Sequence, residues 1–148
     1  MNPHQYTILV LDDEPGQLEI TRGVLSGAGY RVVLGYDGED GRWKVKQQRF
    51  DLIITDIAMP RFSGLELVQA IRRDPATAHI PVIAVTSYTW ELVAETAAGL
   101  GCTAFVSKPF LPQTLLNTVE KALESARSSE RCGHHGDMET PPSTGARG

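Results

Sequence analysis

The chain has 148 residues, of which 41% are apolar and 22% charged, and its net charge is −4. That length and composition suit one soluble globular domain with a real core, and the negative balance weakens the electrostatic case for a nucleic-acid or anionic-membrane partner. No apolar run reaches the ~20 residues a bilayer span needs, and the N-terminus lacks a signal peptide's basic and apolar regions.

The first predicted strand is TILVL at 7–11, followed by a helix over 15–27 that opens on Pro15 and carries Leu18, Thr21, Leu25 and Ala28 on one stripe. RVVLG at 31–35 is the second strand, and residues 38–47, with Trp43 and Val45, form the second helix. DLIIT at 51–55 is the third strand and ends beside Asp56. A helix over 64–73 follows, with Leu65, Val68 and Ile71 inward and Arg72 and Arg73 in the last turn, where cations are favoured. PVIAV at 81–85 is the fourth strand, residues 90–99 a fourth helix, and AFV at 104–106 the fifth strand. The last helix, 112–126, has the clearest period, with Leu115, Val119, Ala122 and Ala126 on one face.

Strands rich in Val and Ile with little polar alternation are buried on both faces. Alternating βα units make them parallel, with right-handed crossovers and helices on both faces. The expected fold is therefore α/β and flavodoxin-like: a five-stranded parallel sheet in the order 2-1-3-4-5, whose ligands sit at the carboxyl ends of strands 1 and 3. One domain is expected over 1–127. From Ser128 the Ser-, Gly- and Pro-rich sequence has no apolar period, and 128–148 is expected to be a disordered tail. Cys132, His134 and His135 in that tail supply three potential metal ligands, one short of a closed tetrahedral site. The two cysteines, Cys102 and Cys132, lie far apart and suit a reducing cytoplasm better than a disulfide framework.

In this strand order Asp12, Asp13 and Glu14 meet Asp56 at one edge. Crowded carboxylates repel one another, and a hard divalent cation such as Mg²⁺ relieves that repulsion. Helix capping before Pro15 would account for one aspartate, but not for three. Strand 4 runs into Thr86 and strand 5 into Lys108, adding a hydroxyl and an ammonium to the same edge. A carboxylate nucleophile, a cation site, a hydroxyl and a lysine are the parts that phosphoryl transfer needs.

LVLDDE, ITDIAMPRFSG, AVTS and FVSKPF, in this order and spacing, resemble the receiver domain of two-component response regulators over roughly residues 5–126. The resemblance implies that Asp56 accepts a phosphoryl group from a phosphohistidine on a sensor histidine kinase or phosphotransfer protein. It implies Mg²⁺ bound by Asp13, Asp56 and the backbone carbonyl of Ala58, with Asp12 helping through water. It also implies that Lys108 pairs with Asp56 or its phosphate, that Thr86 bonds the phosphoryl oxygen, and that the Lys108-Pro109 bond is cis. Phe105 stands at the position of the aromatic switch; without that context, an aromatic there reads as core. The output face is then the helix at 90–99, the fifth strand and the last helix, through which receivers can also dimerise weakly when phosphorylated. Trp90 on that face reads either as a partner contact or as packing against the sheet. Tyr88, two past Thr86, is a candidate shield for the phosphoryl group.

Two enzyme readings fit poorly. A haloacid-dehalogenase-type phosphatase has a D-x-D after its first strand, whereas Asp12 is followed two places on by Glu14. A nucleotide- or flavin-binding domain needs a Gly-rich loop where DDEPGQ stands. A pseudo-receiver that only binds proteins is the closer rival, opposed by the presence of Asp12, Asp13, Asp56, Thr86 and Lys108 together. The expectation is a cytoplasmic signalling protein, not an enzyme with its own substrate, acting alone or as the receiver of a larger regulator.

Overall fold

The computed structural model describes residues 6–56, 64–86 and 101–132. The strands are β1 (Thr7–Leu11), β2 (Arg31–Gly35), β3 (Leu52–Asp56), β4 (Val82–Thr86) and β5 (Ala104–Ser107). The helices described are α1 (Pro15–Gly27), α2 (Gly38–Gln47), α3 (Gly64–Arg73) and α4 (Pro112–Cys132). All neighbouring strands pair in parallel in the order β2-β1-β3-β4-β5, as the alternation of units predicts.

The continuous apolar strands are divided residue by residue between two cores, because successive side chains leave a strand on opposite faces. Ile8, Val10, Leu52, Ile54, Ile83 and Val85 pack with Leu18 and Leu25 of α1 and Leu115 and Val119 of α4. Leu9, Leu11, Ile53 and Val82 pack with Leu67, Val68 and Ile71 of α3. The register sets Leu9 beside Ile53, and Ile53 beside Val82, so the second core runs straight across the sheet.

Helix α2 buries its glycines rather than its aromatic: Gly38 and Gly41 are buried, while Trp43 is 61% exposed. Leu11 explains the choice. It pairs with Gly35 in the ladder, and a Cβ on either Gly35 or Gly41 would overlap its methyl groups. Asp37 caps α2 by accepting the Asp40 N–H at 2.8 Å.

Two strands begin one residue later than the sequence suggests. Asp51 brackets Thr7, its backbone N–H donating to the Thr7 carbonyl at 2.9 Å and its carboxylate accepting the Thr7 N–H at 2.8 Å, and β3 runs from Leu52 to Asp56. Pro81 has no N–H to donate; its carbonyl accepts the Ile53 N–H and β4 starts at Val82. Helix α4 also departs from expectation. It continues past 126 to Cys132, so the expected tail boundary at Ser128 falls inside it. Ser128 and Ser129 are merely neutral helix residues, Glu130 and Arg131 are good ones, and the first strong breaker is Gly133. The expected helix at 90–99 and residues 133–148 lie outside the described residues.

Arg72, at the end of α3, ties the amino edge of the sheet together. Its guanidinium donates to the carbonyls of Ala78 and Gly101 at 3.0 Å and of Ile80 at 2.6 Å. Hydrogen bonds to a charged group are worth more than neutral ones. Arg72→Ala is expected to lower stability by about 1.5–3 kcal/mol, with Arg72→Lys recovering part of it, as read by urea unfolding.

Cys102 lies beside this clamp. Burial pushes its thiol up to about 11, against the opposing pull of Arg72. Only the thiolate attacks electrophiles, so Cys102 is expected to alkylate about 100-fold more slowly at pH 7 than a free cysteine. Iodoacetamide labelling of a Cys132→Ala variant, followed by intact mass, checks this.

Candidate phosphoryl-transfer site

The site forms where β1 and β3 end. Asp12 follows β1 directly, its N–H donating to the Gly35 carbonyl at 3.3 Å, and is 5% exposed. Asp56 is the last residue of β3, paired in the ladder with Val85, and is 8% exposed. Asp13 beside them is exposed. Capping does not occupy these aspartates: Glu14 is the N-cap of α1 and makes no side-chain cap, while Asp12 Oδ1 accepts the Glu14 N–H at 3.0 Å.

Lys108 follows β5 and extends past β4 and β3. Its ammonium donates to Asp12 Oδ2 and Asp56 Oδ2, both at 2.8 Å. Burial alone would pull the lysine pKa down, but the hydrogen bonds and charges of Asp12 and Asp56 outweigh it and leave it raised. A raised folded-state value means these bonds stabilise the fold fully below the ordinary lysine value of 10.5, and the contribution fades as pH climbs through the raised one. Thermal melts in metal-free buffer are therefore expected to hold steady in this respect to about pH 10 and fall beyond it. Lys108→Met should show a smaller alkaline loss. The Lys108-Pro109 peptide is cis, as the resemblance implies.

Asp12, Asp13 and Asp56 offer carboxylate oxygens within 4.8 Å of one another. Among the described residues, this is the one group of three or more acidic, His or Cys side chains close enough to hold an ion. The donor set fits a hard divalent cation: all oxygen, on a span near the ~4.2 Å between opposite ligands of Mg²⁺. Three carboxylates against one ammonium also leave two formal negative charges for such an ion to offset.

Thr86 ends β4, paired with Ser107. Phe105 is half-buried on the edge strand β5 and lines a cavity of about 330 Å³ with Pro109, Phe110 and Leu111. Ala58, Tyr88 and Trp90 lie outside the described residues. The sequence did not point to the Lys108–Asp12 bond, which joins residues 96 apart across the two intervening strands β4 and β3. A lysine and an aspartate at the same sheet edge were its only signal.

The pattern of the response regulator receiver domain matches residues 8–120. The chain belongs to the response regulator receiver domain family. The polar-differentiation response regulator DivK of Brucella anthropi is 29% identical over 120 residues, which is 81% of this chain and 98% of that protein. The response regulator GtcR of Aneurinibacillus migulanus is 32% identical over 120 residues, but they make up 48% of its length. Among solved structures, the receiver fold is shared with the Vibrio cholerae chemotaxis protein CheY4. That match has 32% identity and a TM-score of 0.76, covering 79% of this chain and 98% of that one. The receiver domain of the Pseudomonas aeruginosa sensor histidine kinase PA1611, solved with a magnesium ion in its active-site cleft, matches at 26% identity and a TM-score of 0.75, covering 80% and 98%. No helix among the described residues of this receiver is long and apolar enough to cross a membrane.

Proposed function

We propose that this receiver takes a phosphoryl group onto Asp56 from the phosphohistidine of a sensor histidine kinase or phosphotransfer protein, and passes the signal on through protein contacts. The observation that carries the reading is the cluster of Asp12, Asp13 and Asp56 with Lys108 bridging two of them. One Asp56 oxygen bonds to phosphorus as the P–N bond of the donor breaks, and the electron pair stays with the imidazole. Asp13, Asp56 and the Ala58 carbonyl would hold Mg²⁺, with Asp12 helping through water, and the ion would offset charge on the phosphoryl oxygens. The magnesium ion of the PA1611 receiver supports that assignment. Lys108 keeps its ammonium beside the acceptor oxygen, where the added charge develops.

Phosphorylation adds about −1.5 to −2 charges at pH 7. In this reading Thr86 moves towards the new oxygens, Phe105 turns into the space, and residues 90–99, β5 and α4 form the output face, with Trp90 as a contact. Reversing a 1:99 equilibrium takes about 5.5 kcal/mol, within reach of several charge-assisted hydrogen bonds to a phosphoryl group. The partners are proteins of a cytoplasmic signalling route, the chain is a monomer or a weak phosphorylation-dependent dimer, and it turns over no substrate besides its own phosphoryl group. The 98% coverage of DivK and CheY4 supports a single-domain regulator. The 48% coverage of GtcR supports the second reading, a receiver within a longer regulator.

Incubation with acetyl phosphate and Mg²⁺, read by intact mass, tests the proposal. Uptake of one phosphoryl group that chelation abolishes is the expected result. No uptake and no beryllofluoride binding, with the fold intact, would leave a pseudo-receiver.

A further inference from the structure

The charge of the cleft between α2 and α3 is opposite to that of the whole chain. The chain carries 18 acidic residues against 14 Lys and Arg. Two adjoining cavities in this cleft, of about 230 and 290 Å³, share Val45, Lys46 and Thr77 and so form one groove opening at the amino edge of the sheet. Its charged lining is Arg42, Lys46, Arg49 and Arg73 against Asp74 alone. Asp74 is engaged in its own turn, accepting the Ala76 N–H at 3.0 Å. Lys46, Arg49 and Arg73 are exposed and make no ion pair among the described residues. The floor between them is half-buried Val45 and Ala70, with Phe50 and Ile80 beneath.

We propose that this groove docks an acidic amphipathic helix of a partner protein, independently of phosphorylation. Lys46, Arg49 and Arg73 flanking an apolar floor match a helix with carboxylates on its flanks and small apolar side chains on its inner face. A nucleic acid fits less well: methyl groups on the floor cannot bond a phosphate backbone, and the chain's overall charge repels one. Asp56 lies at the opposite end of β3, five residues or roughly 16 Å along the strand. A partner seated in the groove leaves that edge open and raises the local concentration of whatever acts there.

The test is a ¹⁵N NMR titration of the full chain with a synthetic acidic peptide of about 15 residues, long enough to be helical. Shifts confined to residues 42–50 and 67–80 are expected, with a Kd unchanged by beryllofluoride. The variant Lys46→Glu/Arg49→Glu/Arg73→Glu should bind at least about tenfold more weakly, and salt at about 1 M should weaken the wild type similarly. Its Mg²⁺-dependent phosphoryl uptake should stay normal, so this outcome and that of the Asp56 reading are separately legible. Shifts elsewhere, binding that requires beryllofluoride, or full binding by the variant would overturn the proposal. So would tighter binding of a single-stranded oligonucleotide, or contacts from residues 133–148 to Phe50 and Ile80 in the free chain.

Discussion

Asp56→Asn is expected to reduce phosphoryl uptake from acetyl phosphate below detection while leaving the fold unchanged. The amide has the size of the carboxylate and accepts the Lys108 ammonium through its oxygen, so the buried end of β3 stays packed. What it loses is the anionic oxygen proposed to bond phosphorus and the charge proposed to hold a cation. Asp13→Asn is the informative companion. Asp13 is exposed and lies among the cluster oxygens without bonding Lys108, so its loss should raise the Mg²⁺ concentration needed without removing the acceptor. Intact mass across a Mg²⁺ series, with circular dichroism as the fold control, separates the two. Uptake by Asp56→Asn at the wild-type rate would move the acceptor to Asp12 or Asp13.

Leu9→Ala is expected to cost about 2–5 kcal/mol of stability. Leu9 has no exposed surface and sits in the row with Ile53 and Val82, roofed by Leu67, Val68 and Ile71 of α3. Two rigid layers hold the space open, so the lost side chain leaves a cavity in place of a collapse. In urea the midpoint should fall by roughly 1–3 M for slopes typical of small domains. Trp43→Ala is the contrast: the ring is exposed on α2, and its removal should change stability by no more than about 0.5 kcal/mol.

The five strands and their order were legible because runs such as TILVL and DLIIT must be buried on both faces, and βα alternation admits few topologies. The meeting of Asp12, Asp13 and Asp56 followed from that order alone. Strand starts were missed by one residue where a side chain joins the backbone in holding the neighbouring strand, as at Asp51, or where Pro81 lacked a donor. The reach of Lys108 to Asp12 depends on side-chain length after the strand ends, which a strand order does not encode. Arg72 was read as a favourable helix end and proved to be a clamp on three carbonyls. Backbone acceptors leave no trace in residue identity, so nothing in the sequence pointed to them. The reach of α4 to Cys132 was hidden by serines that neither favour nor forbid a helix.

Leu11 with Gly35 and Gly41 has an evolutionary consequence. The leucine fills the volume that side chains at the two glycine positions would claim. A first step such as Gly41→Ala forces the Leu11 methyl groups to shift within a packed core, and a first step at Leu11 opens a void. Substitutions at these three sites should therefore be coupled, and grafting position 41 from a relative should cost less stability when its residue 11 travels with it.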